Sequence, residues 1–171
     1  MASDYPHHSE YAPYYRTYLE NIEAIGLVQG LRDNFKKCES LLLGLPADKH
    51  EYQYAVGKWT IKEVVQHLID SERIFAYRAL RIARNDQTPL PGFDQNEYVP
   101  PSKANSRNFD GLIEEYRAVR LSTVNLFDSF DAEMLVRVGT ASNYPVSVRA
   151  LGYIIMGHEN HHCNIISERY L

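Results

Sequence analysis

The chain has 171 residues, 44% of them apolar and 23% charged, which suits one domain around a packed core and is too apolar for a disordered chain. Its 18 Lys and Arg against 22 Asp and Glu give a formal net charge of −4, without the clustered cations that a nucleic-acid surface requires. Neither Leu41–Leu43 nor Gly152–Met156 approaches the ~20 apolar residues of a bilayer span, so no membrane partner is expected.

The opening Met1-Ala2-Ser3-Asp4-Tyr5-Pro6-His7-His8 has neither a basic segment nor an apolar core and does not read as a secretory leader. Cys38 and Cys163, two in number, cannot build a disulfide framework and read as reduced thiols. Together these features predict a cytoplasmic globular protein.

In chain order, residues 1–26 are rich in Tyr and carry Pro6, Pro13 and Gly26. They read as an N-terminal arm with room for a short helix, ahead of a domain over 27–171. The first long helix is predicted from Leu27 to Leu43, with Leu31, Phe35, Cys38, Leu41 and Leu42 at helical spacing and Gly44-Leu45-Pro46 closing it. The second starts after Thr60, whose partner Glu63 stands three residues on, so each side chain can satisfy a free backbone N–H of the first turn. Trp59 and Val64 form a hydrophobic staple across that start. The stripe Ile61, Val64, Val65, Leu68, Phe75, Ala79, Ile82 carries the helix to near Asn85.

Residues 85–108, with Pro89, Pro91, Pro100 and Pro101, read as a long crossover loop, a length usually reserved for function. A third helix runs from Phe109 to about Phe130, an extra turn is expected over 131–136, and 139–145 reads as linker. The last helix begins at Ser147 and is expected to turn Val148, Leu151, Ile155, His158, His162, Ile165 and Arg169 inward. The expected fold is all-α, a four-helix bundle with a long crossover between helices 2 and 3.

The histidines carry the chemistry. His158 and His162, four apart on an inward seam, project side by side from one helix face. Burying two imidazoles without partners costs about 1–3 kcal/mol each. Two imidazoles can hold one divalent metal, and His67, on the margin of the second helix's stripe, is the candidate third ligand. Three neutral nitrogens leave a position for water or substrate, as in catalytic zinc sites. They also leave the full metal charge to lower the pKa of a bound water or to stabilise a thiolate. His161 flanks this set.

Residues 158–162 also spell H-E-x-x-H, the string of zinc peptidases with Glu159 as general base. Ile165 and Glu168 stand where the extended pattern needs glycine and histidine, which argues against that reading. Glu159 then remains as a supporting or pocket residue. Glu72 falls near the middle of the second helix's apolar stripe and must be paired, with Arg120 or Arg169, or else orient a ligand histidine.

The stretch Gly57-Lys58-Trp59-Thr60-Ile61-Lys62-Glu63-Val64-Val65-Gln66-His67-Leu68-Ile69-Asp70-Ser71-Glu72-Arg73 resembles the signature of the DinB-like (DinB/YfiT-like) superfamily of metalloenzymes. So do Pro91-Gly92-Phe93-Asp94-Gln95-Asn96-Glu97-Tyr98 and Gly157-His158-Glu159-Asn160-His161-His162. The resemblance implies the same bundle, a divalent metal (zinc or nickel) on His67, His158 and His162, and a homodimer. It also implies a thiol-dependent S-transferase with a low-molecular-weight thiol as co-substrate. A hydrolase using a metal-bound hydroxide and a non-catalytic stress-related metal or ligand binder are the alternatives. The loop from Asp94 to Tyr98 is expected to shape the pocket of a small-molecule substrate.

Overall fold

The computed structural model describes residues 5–20, 22 and 26–171. The rest of the expected arm, residues 1–4, 21 and 23–25, lies outside the described residues, and with it the start of the segment read above as no leader. Two 3-10 turns, His8–Glu10 and Pro13–Tyr15, precede a short helix α1 (Arg16–Leu19), then α2 (Leu27–Leu43) and α3 (Ile61–Ala83). The crossover contains α4 (Gln95–Ser102). There follow α5 (Phe109–Asp128), α6 (Ala132–Leu135), strands β1 (Val138–Ala141) and β2 (Tyr144–Ser147), and α7 (Val148–Arg169).

The four long helices form where the apolar spacing placed them. At the start of α3 the Thr60 hydroxyl accepts the Glu63 N–H at 3.1 Å, and the Glu63 carboxylate accepts the Thr60 N–H at 2.8 Å. Trp59 packs on the hydrophobic cluster that contains Val64. The Ser147 hydroxyl caps α7 by accepting the Ala150 N–H at 3.0 Å.

The result is a four-helix bundle in which α3 and α2 each pack against both α5 and α7. The pairs α2 with α3 and α5 with α7 therefore stand at opposite corners, while the long crossover joins the neighbours α3 and α5. The core has two hydrophobic clusters. One gathers Phe75, Phe127 and Leu151; the other gathers Leu68, Ile113 and Ile166. Between them lies a polar layer, built from His67 and Glu72 of α3, Arg120 of α5, and His158 and Glu159 of α7, all buried. Among the described residues no helix is long and apolar enough to cross a membrane.

Two connections differ from the sequence reading. The segment read as linker over 139–145 is an antiparallel hairpin in which Ala141 pairs with Tyr144 and Gly139 with Val146. Its two-residue turn puts Ser142 and Asn143 at φ 52° and 67°, the left-handed pair that a tight hairpin demands. Strands of four residues are too short to alternate visibly, and Leu90 from the crossover anchors the hairpin from outside. The Leu90 N–H donates to the Thr140 carbonyl at 2.9 Å, and the Ser142 N–H donates to the Leu90 carbonyl at 3.0 Å. The crossover is also not all loop. The Asp94 carboxylate accepts the Asn96 N–H at 2.8 Å and starts α4, whose Pro100 and Pro101 fall near its end, before Lys103 turns left-handed at φ 53°.

The described part of the arm is packed. Tyr11 and Leu19 join the first hydrophobic cluster, and α1 lies against α7. Consequently α7 is buried on every side from Leu151 to Glu159.

Candidate metal centre

Three imidazoles converge at the polar layer. His67 stands on α3, and His158 and His162 stand one turn apart on the adjoining face of α7. Their ring centroids form a near-equilateral triangle of 4.7, 4.7 and 4.9 Å, each pair of planes crossing steeply. One nitrogen from each lies within 4.8 Å of the others. His67 Nε2 and His158 Nε2 are 2.8 Å apart, and the Ser71 hydroxyl lies 3.4 Å from His67 Nδ1, so the far side of that ring is engaged and Nε2 faces the cluster.

Burial favours the uncharged form of all three rings. It holds His67 at about 4 and pushes His158 and His162 well below the usual histidine value, with the neighbouring imidazoles adding to the effect. Three neutral nitrogens at this spacing fit a divalent ion, since bonds of about 2.0–2.1 Å from one ion place tetrahedral ligands roughly 3.3 Å apart. Glu159 and the cysteines lie outside the cluster. Cys38 and Cys163 are free and buried; a mutual hydrogen bond and burial push the Cys38 thiol up.

The rings open onto a cavity of about 410 Å³. Trp59 stacks near His67 and His162, with centroids at 4.8 and 6.4 Å. Tyr18 lies 5.6 Å from His158 and 5.1 Å from His161, and Phe75 lies 6.0 Å from His158. His161 is exposed at the cavity wall, where partial burial lowers its pKa. Asp94 and Tyr98 do not line this cavity; Phe93 and Gln95 of the same loop do.

Glu72 has the structural pairing foreseen as one option. It accepts Arg120 Nε and Nη2 at 2.8 Å each. Arg120 also bonds Glu159 at 2.9 and 3.0 Å, and Glu159 further accepts Tyr116 and Asn34. Glu159 thus faces the core network, away from the cavity.

A family model for the DinB superfamily matches residues 31–166. The chain belongs to the DinB superfamily. A relative from Oceanobacillus iheyensis, whose name proposes a metal-dependent hydrolase, is 28% identical over 118 residues, covering 64% of this chain and 63% of the relative. The chain therefore matches less than two thirds of that relative's length. A solved structure, YfiT from Bacillus subtilis, has a TM-score of 0.75 at 18% identity over 93% of this chain and 91% of that one. It is described as a probable metal-dependent hydrolase with an unusual four-helix bundle topology, and at this identity the likeness is one of fold.

The DinB match leaves out the residues that wall the cavity from the N-terminal side, Tyr14, Tyr15 and Tyr18. Sequence reasoning missed them, and it missed Arg78. A signal for Arg78 existed: eleven residues make just over three helical turns, so it returns to the side of α3 that carries His67.

Proposed function

We propose that this protein is a metal-dependent hydrolase of a small molecule, with His67, His158 and His162 holding one divalent ion. The observation that carries this reading is the closed triangle of uncharged imidazoles opening onto an aromatic cavity. The descriptions of the Oceanobacillus relative and of YfiT as metal-dependent hydrolases support it. A divalent ion bound there would supply a Lewis acid, lowering the pKa of a water or a thiol and polarising the bond under attack. The chain's own residues do the rest. Ser71 fixes the tautomer and tilt of His67. Trp59, Phe75 and Tyr18 exclude bulk water and bind an apolar substrate body. His161, on the cavity wall with its pKa lowered by partial burial, accepts the proton released by the attacking nucleophile.

Thiol transfer is the second reading. It is favoured by the lining itself, which among the described residues contains no carboxylate to repel a thiolate or to serve as its base. Zinc and nickel both accept imidazole, and the proposed ion is one or the other.

The test measures metal content by elemental mass spectrometry on protein purified without chelators, for wild type and His162→Ala. Turnover of 4-nitrophenyl esters is then followed with and without added cysteine. One equivalent of metal in the wild type alone, with ester cleavage independent of thiol and lost in His67→Ala, is the expected result. Thiol consumption by an added electrophile such as 1-chloro-2,4-dinitrobenzene, with no cleavage in its absence, replaces hydrolysis by transfer. A wild type that takes up neither zinc nor nickel overturns both.

A further inference from the structure

The cavity that begins at the histidines ends at an arginine. Arg78 is only 3% exposed, yet its guanidinium forms part of the cavity wall together with Phe93 and Ser142. It donates from Nη2 alone, to the Pro91 carbonyl at 2.6 Å and the Ser142 hydroxyl at 3.1 Å. No carboxylate pairs with it among the described residues, and its Nε and Nη1 make no hydrogen bond there. The other buried arginine, Arg120, holds two carboxylates. A buried guanidinium without a counter-charge is costly unless something supplies one. Among the described lining residues Arg78 is also the sole side chain with a permanent charge.

We propose that Arg78 is the anion-recognition residue of this cavity, and that the substrate is a small aromatic molecule with an oxyanion at the end remote from its reacting bond. Nε and Nη1, on opposite edges of the guanidinium plane, remain as donors of charge-assisted hydrogen bonds to an oxyanion such as a carboxylate or phosphate. The position of the anion follows from the helix. Arg78 and His67 share one side of α3 about 16 Å apart along its axis, so the anion and the reactive group sit at opposite ends of the molecule. Between them the walls are rings: Phe75 lies 6.1 Å from Tyr15, and Phe93 lies 5.9 Å from the Arg78 guanidinium. An aromatic body fills that space better than an aliphatic or sugar-like one.

The inference deepens the function proposed above, because it names the substrate class of the same cavity, and its test does not need the metal. Binding of 3-phenylpropionate and of its uncharged isostere 3-phenylpropanamide is measured by calorimetry on metal-free protein, where no ion competes for the carboxylate. Wild type is expected to bind the acid at least tenfold more tightly than the amide. Arg78→Gln is expected to lose that preference, while Arg78→Lys and Ser142→Ala keep at least part of it. The lysine and serine variants separate loss of charge from loosening of the hairpin. 2-Phenylethyl phosphate, run in parallel, ranks phosphate against carboxylate as the oxyanion.

Equal affinity for acid and amide, no binding of either, or a preference that survives in Arg78→Gln overturns the proposal. A protein that holds no metal but shows the Arg78-dependent preference would lose the hydrolase reading and retain the anion site.

Discussion

Arg120 holds Glu159 through two hydrogen bonds, Nη2 to Oε1 at 2.9 Å and Nη1 to Oε2 at 3.0 Å, while its Nε and Nη2 grip Glu72. One guanidinium therefore serves two buried carboxyls, and burial together with the neighbouring acidic groups pushes Glu159 well above the usual carboxylate range. Both Glu159 oxygens accept hydrogen bonds, one from Tyr116 and Arg120 and the other from Asn34 and Arg120, so Glu159→Gln turns one acceptor into an NH2 group against these donors and should cost about 1–3 kcal/mol. Arg120→Met leaves two acids facing each other without a counter-charge and should cost about 3–5 kcal/mol. Urea denaturation of the two variants checks this order. A larger loss in Glu159→Gln than in Arg120→Met would mean that the bonds from Tyr116 and Asn34, and not the Arg120 guanidinium, hold this layer together.

The packed N-terminal segment is fastened by Glu10. Its carboxylate accepts Arg149 Nε at 2.8 Å, Arg149 Nη2 at 2.5 Å and the Ser147 hydroxyl at 2.7 Å. Burial pushes the Glu10 carboxyl up, but the bonds from Arg149, the His7 backbone and Ser147 outweigh it and hold it below the usual range. A depressed acid contributes stability that is complete above its unfolded-state pKa and is lost as pH falls through its folded value. Protection of the amides of α1 against hydrogen exchange should therefore be steady at neutral pH and fall below about pH 4.5. Glu10→Gln should show the weakened protection already at pH 7 and lose the added acid sensitivity.

Much of this architecture is legible in the sequence because its signals are local. The reciprocal cap of Thr60 and Glu63 fixes the start of α3, and the four-residue spacing of His158 and His162 fixes one edge of the histidine triangle. His67 needed only the apolar stripe around it. The hairpin was hidden because its stability comes from Leu90, some fifty residues away, and its turn uses Ser142-Asn143 in place of a glycine. The tyrosine wall was hidden for another reason. An arm is read as an arm until its partner surface is known, although Gly152-Tyr153-Ile154-Ile155-Met156-Gly157 is apolar all round. A helix of that kind needs cover on every side, and α1 is the cover.

Gly157 is where that cover comes closest. A Cβ at 157 would collide with the Tyr18 carbonyl and side chain, and the atom in the way is backbone, which cannot swing aside. Gly157→Ala should push α1 off α7 and cost about 1–3 kcal/mol, the range for overpacked cores. It should also withdraw Tyr18 from the cavity, so affinity for an aromatic ligand falls while metal content at one equivalent persists. Thermal denaturation and calorimetry on the same samples read both effects. Unchanged aromatic binding would show that Tyr18 is not part of the ligand's wall.

The histidine triangle makes the last prediction. A ligand that binds only the folded protein stabilises it by about 2.7 kcal/mol at a free concentration of one hundred times its dissociation constant. For a chain of this size each kcal/mol raises the melting temperature by about 2–4 °C, so saturating zinc should raise it by roughly 5–11 °C. A chelator should reverse the shift, and His67→Ala should abolish it. That variant also opens a cavity under Trp59, so its metal-free melting temperature must be compared with metal-free wild type. Wild type whose melting temperature ignores both zinc and chelator would make the three rings a polar core layer, held together by the 2.8 Å contact of His67 and His158 and the Ser71 hydroxyl alone.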